Sequence, residues 1–112
     1  MILGELAVHF ATEEAAEALL VDDTLRISEL PLEAALFDGL AQALHFPDYF
    51  GSNWDAVEEC LGDIETDERV VLLVHDAAKR WERDPKGMAT LVGVWTSAAT
   101  ERGGDLHLVF VW

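Results

Sequence analysis

The stretch HFPDYFGSNWDAVEECL, residues 45–61, brings Asp55, Glu58 and Glu59 close together, and Asp63 follows. Eight carboxylates stand between Asp48 and Glu68, with no Lys or Arg among them. Carboxylates in such number can hold a divalent cation, serve as general acid and base, or attract the cations of another molecule. Calcium needs oxygen ligands wrapped around the ion, whereas side chains on one rigid helix stand side by side. A catalytic reading needs partners, and His9, His45, His75 and His107 are scattered, with no pair at metal-ligand spacing. His75-Asp76 follows an apolar run, a place where an α/β fold can hold a catalytic residue, but a structural histidine is the commoner case there. Gly51-Ser52 lacks the nucleophile-elbow pattern, and the glycines are too dispersed for a phosphate loop. The expectation is therefore a binding protein, not an enzyme, with no metal and no cofactor.

The charge is uneven along the chain. Residues 1–68 hold 17 acids and one base, Arg26, whereas residues 69–112 hold 5 acids and 6 bases. With a net charge of −15 over 112 residues, the molecule is repelled by phosphate, so neither nucleic acid nor an anionic membrane is an expected partner. A basic protein is attracted instead. The competing explanation is that acidity serves only solubility. A hydrophobic content of 51% is enough for one modest core. No apolar run reaches the roughly 20 residues that span a bilayer. The opening MILGELAVHF has no basic n-region, and Cys60 is the single cysteine, so a cytoplasmic protein without a disulfide is expected.

Several elements must position the acidic run. ELAVHF alternates like a short strand, and Thr12 can cap a helix over EEAAEALL. DTLRIS reads as a strand. PLEAALFDGLAQAL reads as a helix entered at Pro31, with Leu32, Leu36, Phe37, Leu40 and Leu44 at helical spacing. That helix stops before Pro47, because the residue preceding proline is pushed out of the helical region. Asn53 is a good cap for WDAVEECLGDI, and Gly51 allows a tight turn into it. RVVLLVH and LHLVFVW read as strands buried on both faces. A short helix is expected over 76–82, and a longer one after Asp84-Pro85, with Met88, Leu91, Val92, Trp95 and Ala99 facing inward. Helical crossovers between buried strands favour an α/β layer on a small parallel sheet.

On a wheel of 100° per residue from Trp54, Ala56, Val57, Cys60, Leu61 and Ile64 fall between about 200° and 340°. Asp55, Glu58, Glu59 and Asp63 fall between about 40° and 180°. The apolar face suits packing on a sheet, with Cys60 as a small buried hydrophobe. The acidic face works against helix stability. Asp55–Glu59 and Glu59–Asp63 are like-charge i,i+4 pairs, each costing roughly 0.2–0.5 kcal/mol, and Asp63 lies at the negative end of the dipole. Either this face is simply solvated, or its carboxylates are reserved for cations elsewhere. Of the neighbouring rings, Tyr49 is expected to face a partner and Phe50 to point inward.

The pattern LFDGLAQALHFPDYFGSNWDAVEECLGDI, residues 36–64, resembles the barstar family of intracellular inhibitors of barnase-type ribonucleases, and a looser likeness runs from Thr24 to Trp112. The resemblance implies a three-stranded parallel sheet flanked by helices over residues 24–112, with residues 1–23 as an N-terminal extension. It also implies that the acidic helix and preceding loop enter a ribonuclease active site, where carboxylates take the place of RNA phosphate. The contact set carried over is Tyr49, Gly51, Asn53, Asp55, Glu58, Glu59, Gly62 and Asp63. Tyr49, Asn53 and Asp55 match the family pattern directly, and Glu59 takes the place of its principal aspartate. Glu58 and Ile64 replace aromatics of the best-known member, Gly62 replaces a hydroxyl, and a glutamate of its late helix aligns with Ala98. A toxin nuclease other than barnase is thus a fitting partner. An acidic regulatory or scaffold domain that binds a basic non-nuclease protein is the alternative.

Overall fold

A computed structural model describes residues 7–20, 25–47 and 50–112. The elements run β1 (Val8–Ala11), α1 (Glu13–Leu19), β2 (Leu25–Glu29), α2 (Leu36–Leu44), α3 (Trp54–Gly62), β3 (Arg69–Val74), α4 (Ala77–Arg83), α5 (Pro85–Glu101) and β4 (Leu106–Val111). The strands form one parallel sheet in the order β1-β4-β3-β2.

The two central strands are the continuous apolar runs, and their alternation feeds two cores. Val70, Leu72 and Val74 of β3 join Leu106, Leu108 and Phe110 of β4 in the larger core, with Leu40, Val57, Leu61, Leu91 and Trp95 from the helices. Val71, Leu73, Val109 and Val111 face the opposite way and meet Ala16 of α1. Burial on both faces is why these strands lack polar alternation.

The sheet has four strands, where the resemblance implied three. Val8–Ala11 pairs in register with Leu108–Val111, and the ladder extends through Leu108 N–H to Ala7 O and Trp112 N–H to Ala11 O. β4 would otherwise be an edge strand made of buried residues, with its backbone groups unpaired. β1 and α1 both precede residue 24 and both pack on β4.

α2 begins at Leu36, five residues later than the spacing predicts. Leu30 N–H continues the sheet by donating to Leu73 O at 2.9 Å, and the guanidinium of Arg80 takes the carbonyls of Pro31 and Leu32. Both carbonyls thus face α4, and within this segment Pro31 O closes only a single turn, to Ala34 N–H at 3.4 Å, in place of a first turn of α-helix. Leu32, expected on the apolar helix face, is 47% exposed. Ala35 is extended at ψ 149°, and Gly39 then lets α2 lie against Leu30, because a Cβ there would come within 2.9 Å of Leu30 Cδ1.

Candidate functional site

α3 is held by its own sequence at both ends. Asn53 is extended, and its Oδ1 accepts from Ala56 N–H at 2.8 Å while its Nδ2 donates to Gly51 O at 3.2 Å. The chain enters this cap through Ser52, which is left-handed at φ 51°. The tight turn thus falls one residue after Gly51, whose φ is not positive. A non-glycine residue in that region is sterically disfavoured, so the turn is set by the demand of Asn53 for an extended cap.

Val57, Cys60 and Leu61 are buried, and Ala56 and Ile64 are half-buried, as the wheel requires. Burial, followed by the nearby charges of Glu59 and then Asp63, raises the Cys60 thiol above its ordinary pKa. Trp54 is half-buried and meets Phe37 edge-on at 4.9 Å. Phe50 packs inward between Phe37 and Phe46, with ring centroids 6.4 and 5.1 Å away. The carboxylate positions lie on the other side. Asp55, Glu59 and Asp63 are exposed and Glu58 is half-buried. Gly62 closes the helix beside open space. The expected contact residue Tyr49 lies outside the described residues.

Arg102, a residue that the helical pattern does not single out, decides how this face is charged. Its Nη1 donates to the carbonyls of Leu61, Gly62 and Ile64 at 3.2, 3.1 and 2.6 Å. Its Nε and Nη2 form a two-pronged pair with Asp105, both at 2.8 Å. The cation therefore neutralises the negative end of α3 through backbone carbonyls and is matched by a carboxylate from another element. Among the described residues the ion pairs are Arg102–Asp105 and Glu29–His75, so no α3 carboxylate has an internal cation.

Two cavities border this face. One of about 90 Å³ has Phe50, Gly51 and Ala56 as walls and Glu59 and Asp63 at its edge. The other, about 300 Å³, lies past the C-terminal end of the helix, where Phe46, Pro47 and Ile64 meet Asp63 and Glu65, with Arg26 and His45 also in its lining. The smaller cavity, with an apolar wall and a carboxylate rim, fits the amphipathic side chain of lysine or arginine.

The other groups with chemical potential are dispersed. His75 Nε2 lies 2.8 Å from Glu29 Oε1 at the carboxyl ends of their strands, His9 and His107 have ring centroids 5.9 Å apart, and His45 is the left-handed C-cap of α2. Ala98, where the resemblance places an acid of the best-known member, is 1% exposed and packs in the core. No helix is long and apolar enough to cross a membrane among the described residues.

The profile of one protein family, described as Barstar (barnase inhibitor), matches residues 22–111. No curated protein gives a significant match. The chain belongs to the barstar family.

Proposed function

We propose that this barstar-family chain is an inhibitor, or immunity protein, that occludes the active site of a basic ribonuclease or toxin nuclease. α3 and the loop before it enter the cleft, with Asp55, Glu58, Glu59 and Asp63 presented to the cations that otherwise hold RNA phosphate. Tyr49, Gly51, Asn53 and Gly62 complete the contact surface. The observation that supports this reading is the division of charge at α3: the guanidinium of Arg102 serves backbone carbonyls and Asp105, and among the described residues no α3 carboxylate is ion-paired. A face kept only for solubility has no reason to bear like-charge pairs at i,i+4 in the absence of interleaved cations.

Charge-assisted bonds from arginine to carboxylate would give the complex both strength and geometry. The small cavity beside Glu59 and Asp63 would take the stem of one such partner side chain. The test is RNA cleavage by the candidate nuclease at increasing inhibitor. Stoichiometric loss of cleavage is expected, and Asp55→Lys or Glu59→Lys should weaken inhibition about 100-fold or more, as expected for a desolvated charge pair turned repulsive. Glu13→Lys and Glu17→Lys, on α1, should change it little. Equal effects at all four positions would reduce the surface to general acidity and remove the site.

A second reading keeps the acidic surface and changes the partner to a basic protein that is not a nuclease. Gly62 favours it, because no side chain stands where the best-known family member has a hydroxyl. Tight binding to such a protein, with nuclease activity untouched, would select this alternative.

A further inference from the structure

Four of the chain's seven basic residues, Lys79, Arg80, Arg83 and Lys86, fall within eight positions at α4 and the start of α5. Lys79, Arg80 and Arg83 line a cavity of about 400 Å³ beyond the carboxyl ends of β2 and β3, beside His75. Arg80 and Arg83 also line a neighbouring cavity of about 210 Å³. No residue of α3 reaches either one.

Arg80 is the unusual member of the group. It is 7% exposed, yet among the described residues no carboxylate lies within ion-pairing distance of it. Its Nη2 serves the carbonyls of Pro31 and Leu32. A guanidinium has five N–H donors in a planar fork, and those of Nε and Nη1 are given no protein acceptor among the described residues. Burial lowers its proton affinity first, the charge of Arg83 lowers it further, and Glu33 acts the other way. The group stays charged all the same, so a buried cation stands beside a second cation with its remaining donors uncommitted.

We propose that Arg80 and Arg83 form an oxyanion site for a phosphate group, free or as the monoester of a small molecule. The fork geometry suits two oxygens of one anion. The charge argues for phosphate over carboxylate, since a phosphate group carries about −1.5 to −2 at neutral pH and can offset both guanidiniums. Glu33, Asp76 and Glu82 line the larger cavity too, so a bound anion has to gain more from short, two-pronged guanidinium contacts than it loses to these carboxylates. The site is independent of the inhibitory surface, and either can fail without the other.

The test is thermal unfolding of the full chain titrated with inorganic phosphate, adenosine monophosphate and acetate at ionic strength held constant with sodium chloride. A saturable rise in Tm with phosphate is expected, with acetate inactive. A tighter response to adenosine monophosphate identifies the monoester as the source, and an equal one identifies the free ion. Arg83→Ala, at an exposed position, should weaken phosphate binding by about tenfold or more, the value of lost charge-assisted hydrogen bonds. Arg80→Ala is the weaker variant to use, because it also releases the carbonyls of Pro31 and Leu32. A rise that never saturates, an equal response to acetate, or an unchanged response in Arg83→Ala overturns the site.

Discussion

Arg102 carries an outsized share of the local structure for a residue at the surface end of a helix. It is only 13% exposed and gathers three carbonyls of the α3 terminus and both oxygens of Asp105. Truncation to alanine leaves Asp105 half-buried without its cation and returns the last carbonyls of α3 to whatever water can reach them. Arg102→Ala should therefore destabilise the fold by about 3 kcal/mol, the range for breaking a largely buried charge pair. Urea unfolding should show the midpoint falling with the slope unchanged. Arg102→Lys, a point charge without the fork, should recover only part of the loss. A change below about 0.5 kcal/mol, the size of an ordinary surface substitution, would make the interaction incidental. The sequence offers a faint signal for this residue, a cation just past a helix end. Nothing local says that the helix it caps is not its own but one 40 residues earlier.

At the scale of the element, α3 was legible and α2 was only half so, for a physical reason. The cap, the apolar stripe and the acidic stripe of α3 are all set by neighbours within a few residues, and the structure keeps each of them. The start of α2 is not local, since Arg80 lies almost fifty residues from the carbonyls of Pro31 and Leu32 that it takes. A good helical pattern with a favourable proline thus yields to a tertiary contact. The turn into α3 was misplaced by one residue because glycine is the usual choice for a left-handed position, yet here Ser52 adopts it. Asn53 is the device that fixes this turn, bonding forward to Ala56 and back to Gly51. Asn53→Ala should cost about 1 kcal/mol of stability through the lost cap. It should also weaken inhibition beyond that, because Asp55 stands in the first turn that the cap holds. Asn53→Asp, which keeps the cap oxygen, should restore stability. Nuclease titration beside chemical denaturation separates the two effects, and an Asn53→Ala protein with full inhibitory strength would show that the first turn need not be pre-ordered.

Across the whole molecule, the sheet and the charge were read with unequal success. The buried strands β3 and β4 announce themselves as apolar runs, and helical crossovers imply their parallel pairing. β1 is only four residues long, Phe10 on it is 59% exposed, and its pairing with β4 joins segments about a hundred residues apart. The alternation in ELAVHF marks the segment as a strand, but four residues with a solvent-facing aromatic do not say which strand they pair with. Its place in the sheet was therefore not legible, and the three strands implied by the resemblance fall one short. The charge asymmetry, by contrast, needs no structure to be seen. The first 68 residues contribute −16 and the remainder +1, and the strand and helix order leaves Asp55, Glu59 and Asp63 on one exposed helix face. A field of this kind acts before contact, by drawing a basic partner toward the acidic side. Salt shortens its reach from about 10 Å at 0.1 M to about 3 Å at 1 M. The association rate with the proposed nuclease partner should therefore fall by roughly 10- to 1,000-fold from low salt to 1 M, the span that steering contributes. Dissociation should change less, because in the proposed complex the pairs formed at α3 would be desolvated. Stopped-flow mixing across that salt range resolves the two rates. Neutralising Glu13, Glu14 and Glu17 together, on the far side of the sheet from α3, should leave both rates nearly unchanged, whereas Glu59→Gln should speed dissociation. An association rate indifferent to salt would mean that the acidity of this chain plays no part in finding its partner.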